Sequence, residues 1–355
     1  MVSFGKAKTA VGLDIGSNSI KAAELKPKKK GDKKPFELLC LGYESLPHDA
    51  IVEGTIVDTN SVADIIKIIF TENKIFNKNV VISISGNAVI IKRISLPAMD
   101  PEELAESIIW EAKHNIPYAY DEISIDYAIL KPPEKSEKKD IDILLVAAKK
   151  DKIENYSNVI HLAQKNLIGI EVDVFALQNA LEINYPELFH EKTIIIINIG
   201  ANITNIIVLK KGNPELFRDI SLGSFFFTEN IRKELNISYN EAEQLLKGIP
   251  VSTAEPEKVE LALNTNIQEL LEEIEKTFSF YEVGKTEEKK IDHIFLCGGL
   301  AKLKDLDKNF EQKLKIDTQI LNPFRNIYFN EKKINPSFIQ EMAPLFGVAL
   351  GLAAK

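Results

Sequence analysis

The apolar positions of this chain follow two rhythms, one of strands and one of helices. Val11–Ile15 has the pattern of a buried strand that breaks at Gly16, and Ile20–Leu25 resumes an extended pattern. KPKKKGDKKP (Lys26–Pro35) is a charged tip carrying Pro and Gly, and Phe36–Tyr43 returns as a strand. The tip reads as a solvated loop, with a basic contact to a membrane surface as its other reading. Val62, Ile65, Ile66, Ile69 and Phe70 recur at helical spacing and predict a helix over Asn60–Phe70; Asn79–Ser85 is β-rich.

A distinct unit follows. Val89–Leu96 predicts a strand, and Asp100-Pro101-Glu102-Glu103 is a helix start: a cap, a proline at the first position, then acid in the first turn. That helix should run to about Asn115. Strands at Ile123–Leu130 and Ile141–Ala148, joined by the polar tip KPPEKSEKKD, and a helix over about Asp151–Asn166 complete a strand–helix–strand–strand–helix unit near 90–165. It carries no chemical motif of its own. Ile168–Phe175 reads as a strand, and Thr193–Gly212 then repeats the grammar of the N-terminus. Helices are expected at Ser224–Leu235, Asn240–Lys247 and Val259–Val283. A short strand, His293–Leu296, ends in Cys297-Gly298-Gly299, and an apolar helix spans Ala343–Ala353.

Composition narrows the class. The chain has 355 residues, room for two domains, with 45% apolar and 27% charged residues, the mix of a soluble globular protein. A net charge of −8 gives no global basic field for nucleic acid or anionic lipid. No apolar run is long enough to span a bilayer, and MVSFGKAKTAVGLDIG lacks the apolar core of a secretion signal. A cytoplasmic protein is expected. Cys40 and Cys297 form no spacing motif and read as reduced, buried thiols, and the five histidines have no ligand spacing. Trp110 is expected in a core, and Phe225–Phe227 in packing.

The repeat carries the chemistry. LDIGSNSIKAAEL (Leu13–Leu25) and INIGANITNIIVL (Ile197–Leu209) place the same strand–glycine–turn–strand unit in both halves of the chain, which suggests a duplicated domain. Glycine after a buried strand lets successive backbone N–H groups converge on an anion. Gly16 and Gly200 hold those places, with Ala201 following in the second turn. Ser17, Asn18, Ser19, Asn202 and Thr204 add donors, Lys21 can neutralise a phosphate, and Asp14 can hold Mg²⁺ through water. One such turn alone is a plain hairpin. Two turns, with a third glycine turn at Cys297–Leu306, point to a nucleotide.

These turns resemble the phosphate loops of the actin, Hsp70 and sugar-kinase superfamily. Within it, GLDIGSNSIKAAELK is similar to the first phosphate loop of the PilM family of type IV pilus assembly proteins, relatives of the cell-division protein FtsA. LGSFFFTENIRKELNISYNEAEQLLKG (Leu222–Gly248), with Gly223, Thr228 and Ile231 in place, is similar to the segment beyond the second phosphate loop. FLCGGLAKLKDL resembles the adenosine loop, and APLFGVALGLAAK the shared closing helix. The resemblance implies an α/β fold with duplicated actin-like (ribonuclease H-like) domains around a nucleotide cleft. An inserted small αβ (SHS2-like) subdomain, 1C, would occupy about 90–165. Lobe 1 would comprise 1–188 with the closing helix 343–355, and lobe 2 would comprise 189–340.

The resemblance further implies ATP with Mg²⁺, and adenosine contacts from Glu243, Gly298, Gly299, Leu300 and Lys302. It implies a scaffold at the inner membrane that binds the cytoplasmic N-terminal tail of a PilN-like membrane protein. Contact with pilus motor ATPases, self-association and a part in twitching motility would follow from that place. The membrane would be reached only through the partner. Two rival readings are an FtsA-like filament protein, tested by sedimentation with ATP and lipid, and a small-molecule kinase of the same superfamily. Three departures matter. Asn198 stands where relatives carry an acid, Lys247 comes one residue late after Ala242-Glu243, and Lys304-Asp305 replace Pro-Gly. Glu171 and Asp173 are the candidates for orienting water, and slow hydrolysis at most is expected.

Overall fold

The structure is a computed structural model and describes residues 9–29, 31–130, 140–282 and 291–355. The first eight residues and the polar tip over 131–139 lie outside the described residues. β1 (Val11–Ile15) and β2 (Ser19–Pro27) form the expected antiparallel pair, and β3 (Phe36–Ser45) adds to β2. A small hairpin, β4 (Ile51–Val52) and β5 (Thr55–Ile56), leads to α1 (Thr59–Glu72). The Asp58 carboxylate caps α1 by accepting from the Ser61 N–H, and Val62, Ile66, Ile69 and Phe70 turn into the core. β6 (Asn79–Ile84) then lies parallel to β1.

The next unit has its own sheet. β7 (Val89–Pro97), α2 (Pro101–Asn115), β8 (Ile123–Ile129) and β9 (Asp140–Lys149) give the strand order β7-β9-β8. Leu104, Ile108 and Ala112 of α2 pack on Ile143, Leu145 and Ala147 of β9. The Asp100 cap accepts from the N–H groups of Glu102 and Glu103, as the sequence pattern predicts. The following helix, α3 (Lys150–Leu162), belongs elsewhere: Tyr156, Val159 and Ile160 are buried beside α1 in the core of the first sheet. β10 (Asn166–Val172) joins β6 as a parallel edge strand. The strand ends before the expected Phe175, because Asp173 opens α4 (Asp173–Asn184); the short α5 (Pro186–Phe189) follows.

β11 (Thr193–Ile199), β12 (Thr204–Lys210) and β13 (Asn213–Ile220) form a second meander, followed by α6 (Ser224–Leu235), α7 (Tyr239–Leu246) and α8 (Pro256–Glu282). β14 (His293–Cys297) lies parallel to β11, and after α9 (Leu306–Leu314) β15 (Thr318–Ile320) lies parallel to β14. The order β13-β12-β11-β14-β15 repeats β3-β2-β1-β6-β10 of the first sheet, with the same directions. The duplication seen in two short turns extends to two whole sheets.

The chain returns to the first sheet ahead of the limit at 340. β16 (Ile327–Phe329) pairs with β3, and Phe324 and Ile327 bury against Leu25 and Leu38. After α10 (Pro336–Met342), α11 (Gly347–Ala353) lies between β1 and α4. Its face against the sheet and its face against the helix are both buried.

Candidate functional site

The two glycine turns are built alike. The Gly16 N–H donates to Ser19 O at 3.1 Å, and the Gly200 N–H donates to Ile203 O at 3.0 Å. Asp14 sits opposite Lys21 in the first hairpin, and Asn198 sits opposite Asn205 in the second. Among the described residues, the N–H groups of Ser17, Asn18, Ala201 and Asn202 donate to no protein acceptor. Both turns line one cavity of about 430 Å³. Unpaired, half-buried N–H groups around a polar cavity are what an anion requires.

Gly298 and Gly299 close another side of the cavity. A Cβ on Gly298, whose φ is +88°, would lie 2.4 Å from Ile199 O and 2.7 Å from Asn198 Oδ1, so only glycine fits against the second turn there. Its N–H donates to Pro344 O at 2.8 Å, tying this turn to the chain's final segment.

The charges are arranged unequally. Lys21 Nζ lies 3.3 Å from Asp14 Oδ2, and both side chains are largely buried. Burial pushes the Asp14 carboxyl above its usual range, against the pull of Lys21. The second turn has amides instead. Asn198 Nδ2 donates to Asn205 Oδ1 at 3.2 Å, and Asn205 Nδ2 donates to Asp219 Oδ1 at 2.7 Å. Asp219 also accepts from the Gly86 N–H at 2.9 Å, joining the loop after β6 to β13 across the cavity. Burial pushes the Cys297 thiol well above its usual range, as befits an inert thiol behind Asn198.

Of the residues singled out from sequence, both turns, Asp173, Gly298 and Gly299 meet at the cavity. The others lie off its wall. Glu171 is held by Lys355, Glu243 pairs with Lys247 at 2.9 Å, and Lys302 pairs with Glu341 at 3.2 Å. Thr204 is buried, and its hydroxyl donates to Leu222 O at 2.6 Å. Gly223 backs the second turn, and Leu300 is buried in the core of the second sheet. Trp110 corrects an expectation: it is 58% exposed and stacks on His114, because it lies on the α2 face turned away from the small sheet. Phe227 is buried as expected, whereas Phe225 reaches across to His48 with ring centroids 5.8 Å apart.

Sequence reading missed Ser83, Lys152 and Tyr156, which also line the cavity. The Lys152 ammonium donates to Gly54 O and lies over the Tyr156 ring. Burial lowers Lys152 to about 8, while the charges of Asp173 and Asp151 hold it up. Between pH about 8 and its unfolded value of 10.5, the unfolded chain therefore binds more protons at this group. Stability should rise with pH across that window by roughly 2 kcal/mol, at ~1.4 kcal/mol per pKa unit with allowance for partial hydration. Urea unfolding at pH 7.5 and 10 should show this increment in the native chain and lose it in Lys152→Met. An equal increment in both would place the shift elsewhere.

Residues 12–355 match the family of the type IV pilus assembly protein PilM. The chain belongs to that family. Among solved structures, a chain of a PilM–PilN type IV pilus biogenesis complex is 26% identical, with a TM-score of 0.85 and 98% of each chain covered. The ethanolamine utilization protein EutJ from Carboxydothermus hydrogenoformans is 15% identical with a TM-score of 0.56, covering 98% of this chain and 90% of its own. MreB5 of Spiroplasma citri bound to ADP is 15% identical with a TM-score of 0.54, covering 98% and 95%. The last two share the actin-like fold. Among the described residues of this PilM-family chain, no helix is long and apolar enough to cross a membrane.

Proposed function

We propose that this chain is a nucleotide-binding scaffold of the pilus assembly platform that holds the N-terminal tail of a PilN-like membrane protein. The observation that carries the nucleotide half is the single cavity between two equivalent turns with free N–H groups. An adenine nucleotide would place its phosphates between the turns and its base by Gly298–Gly299. Lys21 would meet a phosphate, and Asp14 would hold Mg²⁺ through water. The donor set fits such a metal: a buried carboxylate on the wall of a polar cavity suits an ion that keeps most of its waters. Bound Mg²⁺ would supply charge neutralisation for the phosphates. Of the carboxylates on the cavity wall, Asp14, Glu53 and Asp173, Asp173 is our candidate for orienting water. With neutral Asn198 in the second turn, turnover should stay well below the ~1–10³ s⁻¹ of typical enzymes.

The partner half is supported by membership of the PilM family and by the likeness to a chain solved with PilN. The seam beside the β7-β9-β8 sheet is our site for the tail, an extended peptide that orders on contact. On the inner side of that sheet, Ile91 and Val146 pack against the same core as Phe175 and Phe217, and Arg93 reaches Glu215 of β13 at 3.0 Å. The unit's ends meet, since the Lys149 N–H donates to Ala88 O at 2.9 Å. It can therefore be excised over 89–149 while α3, which completes the first core, stays. The excised protein should bind Mg-ATP like the full chain and lose the tail peptide of a bitopic membrane partner in a fluorescence-anisotropy titration. Full peptide affinity after excision would remove the unit as the adaptor.

A further inference from the structure

We propose that Ser83 and Lys152 form a subsite for the terminal phosphate of a nucleoside triphosphate, on the cavity wall built by the first sheet. The inference rests on the nucleotide reading above and assigns it two residues from elements outside the glycine turns.

Ser83 is the last residue but one of β6 and lies beside β10, opposite Glu171 in register. It is 4% exposed, and its hydroxyl has no hydrogen-bond partner among the described residues, although the residue lines the cavity. A buried hydroxyl left unpaired is costly, so such a group at a cavity wall points to a polar partner brought by a ligand. Lys152 approaches the same cavity from α3. Its ammonium rests on a neutral acceptor, Gly54 O, and it makes no ion pair among the described residues. The other lysine of the wall, Lys21, is already paired with Asp14.

Charge arithmetic assigns the role. A triphosphate brings one more anionic group than a diphosphate, and Lys21 with the metal can serve the inner phosphates. Gly298 and Gly299 follow β14 of the second sheet, so a base seated there sends the phosphates past the turns toward the first-sheet wall. Lys152 and Ser83 belong to that wall, with Asp173 at the start of α4 beside them. Exchanging a carbonyl for a phosphate oxygen gives the ammonium a charge-assisted bond, roughly twice as strong as a neutral one. Gly54 suits this parking place: a Cβ there would lie 3.1 Å from Lys152 Nζ. With burial holding Lys152 near 8, the ammonium is still mostly charged at neutral pH.

The rival reading is a structural lysine that braces the β4–β5 hairpin, beside a serine satisfied by water. The two readings separate in the full-length protein by calorimetry with Mg-ATP and with Mg-ADP, and by thermal melting without nucleotide. Lys152→Gln keeps a donor for Gly54 O and removes the charge. It should weaken ATP about tenfold, with ADP within about twofold. Ser83→Ala should weaken ATP about threefold or more and leave ADP alone. Because it removes an orphan hydroxyl, the free protein should melt at the same temperature or higher. An unchanged ATP-to-ADP ratio in both variants, or a lowered melting temperature for Ser83→Ala, overturns the subsite while the nucleotide reading stands. A native chain that binds neither nucleotide sinks both.

Discussion

Gly351→Ala should lower the melting temperature of the protein by several degrees. A Cβ at Gly351 would lie 1.7 Å from Ala176 O and 2.5 Å from the Ala176 carbonyl carbon, both backbone atoms of α4. On the other side of α11, a Cβ at Gly12 of β1 would lie 2.0 Å from Ala349 O. The helix is thus pressed between two backbones, and neither can give without breaking its own hydrogen bonds. Extra methyl groups in a core usually cost about 1–3 kcal/mol through side-chain rearrangement. Here that route is closed, so a loss of at least ~3 kcal/mol is expected, a melting temperature lower by about 6–12 °C. Gly299→Ala is the control for stability, because nothing lies within 4 Å of its would-be Cβ. A Gly351→Ala protein melting within about 2 °C of the native chain would mean that α11 is not seated between β1 and α4.

Lys21→Met should lower ATP affinity about a hundredfold and leave adenosine within about threefold. The ammonium is held 3.3 Å from Asp14 and within 3.3 Å of Ser19 O, in the mouth of the first turn. Methionine keeps most of the stem and removes the charge. It also strands a buried carboxylate, and truncating one partner of a buried ion pair is strongly destabilising, up to ~3–5 kcal/mol. Asp14 already has a folded-state pKa above its unfolded 3.8, and losing Lys21 raises it further. A group raised in this way contributes stability at low pH and loses it as pH rises through the folded value. The variant's stability deficit should therefore be larger at pH 7 than at pH 5. Calorimetry and urea titrations at the two pH values check both parts. Equal losses for ATP and adenosine would make Lys21 a structural brace only.

Much of the architecture was legible because local chemistry and tertiary role agree. Asp14-Ile15-Gly16 and Asn198-Ile199-Gly200 end buried strands with the residue that permits the turn, and each turn is where its pattern places it. Asp100-Pro101 starts α2 for the same local reason. Legibility failed where packing decides. Asp173-Val174-Phe175 reads as strand because α4 is covered on two sides and shows little polar face: Val174, Ala176, Leu177, Ala180 and Leu181 are all buried. Trp110 reads as core from its size, yet the small sheet is narrow and leaves that face of α2 in solvent. Ser83 and Lys152 are unremarkable in sequence. They come to one cavity only because α3 leaves its own unit to pack with α1, a long-range fact without a local signature. Glu243 carried a family expectation, and its neighbour Lys247 claims it within one helical turn.

The return of the chain to the first sheet has a consequence for how the protein is born. The strands β11 to β15 follow one another without leaving their sheet, so the second half can close as soon as residue 320 is free. The first half cannot. Its outer strand waits for β16, and β1 waits for α11, both of which follow the second sheet in the chain. Domains usually mature on the ribosome from the N-terminal end forward. Here the order is reversed, and the turn carrying Asp14 and Lys21 stays without its backing until the second sheet and α11 have been made. A nascent chain of this protein would have to shelter its first-made strands longest, and ligand capture could begin only once α11 has left the ribosome.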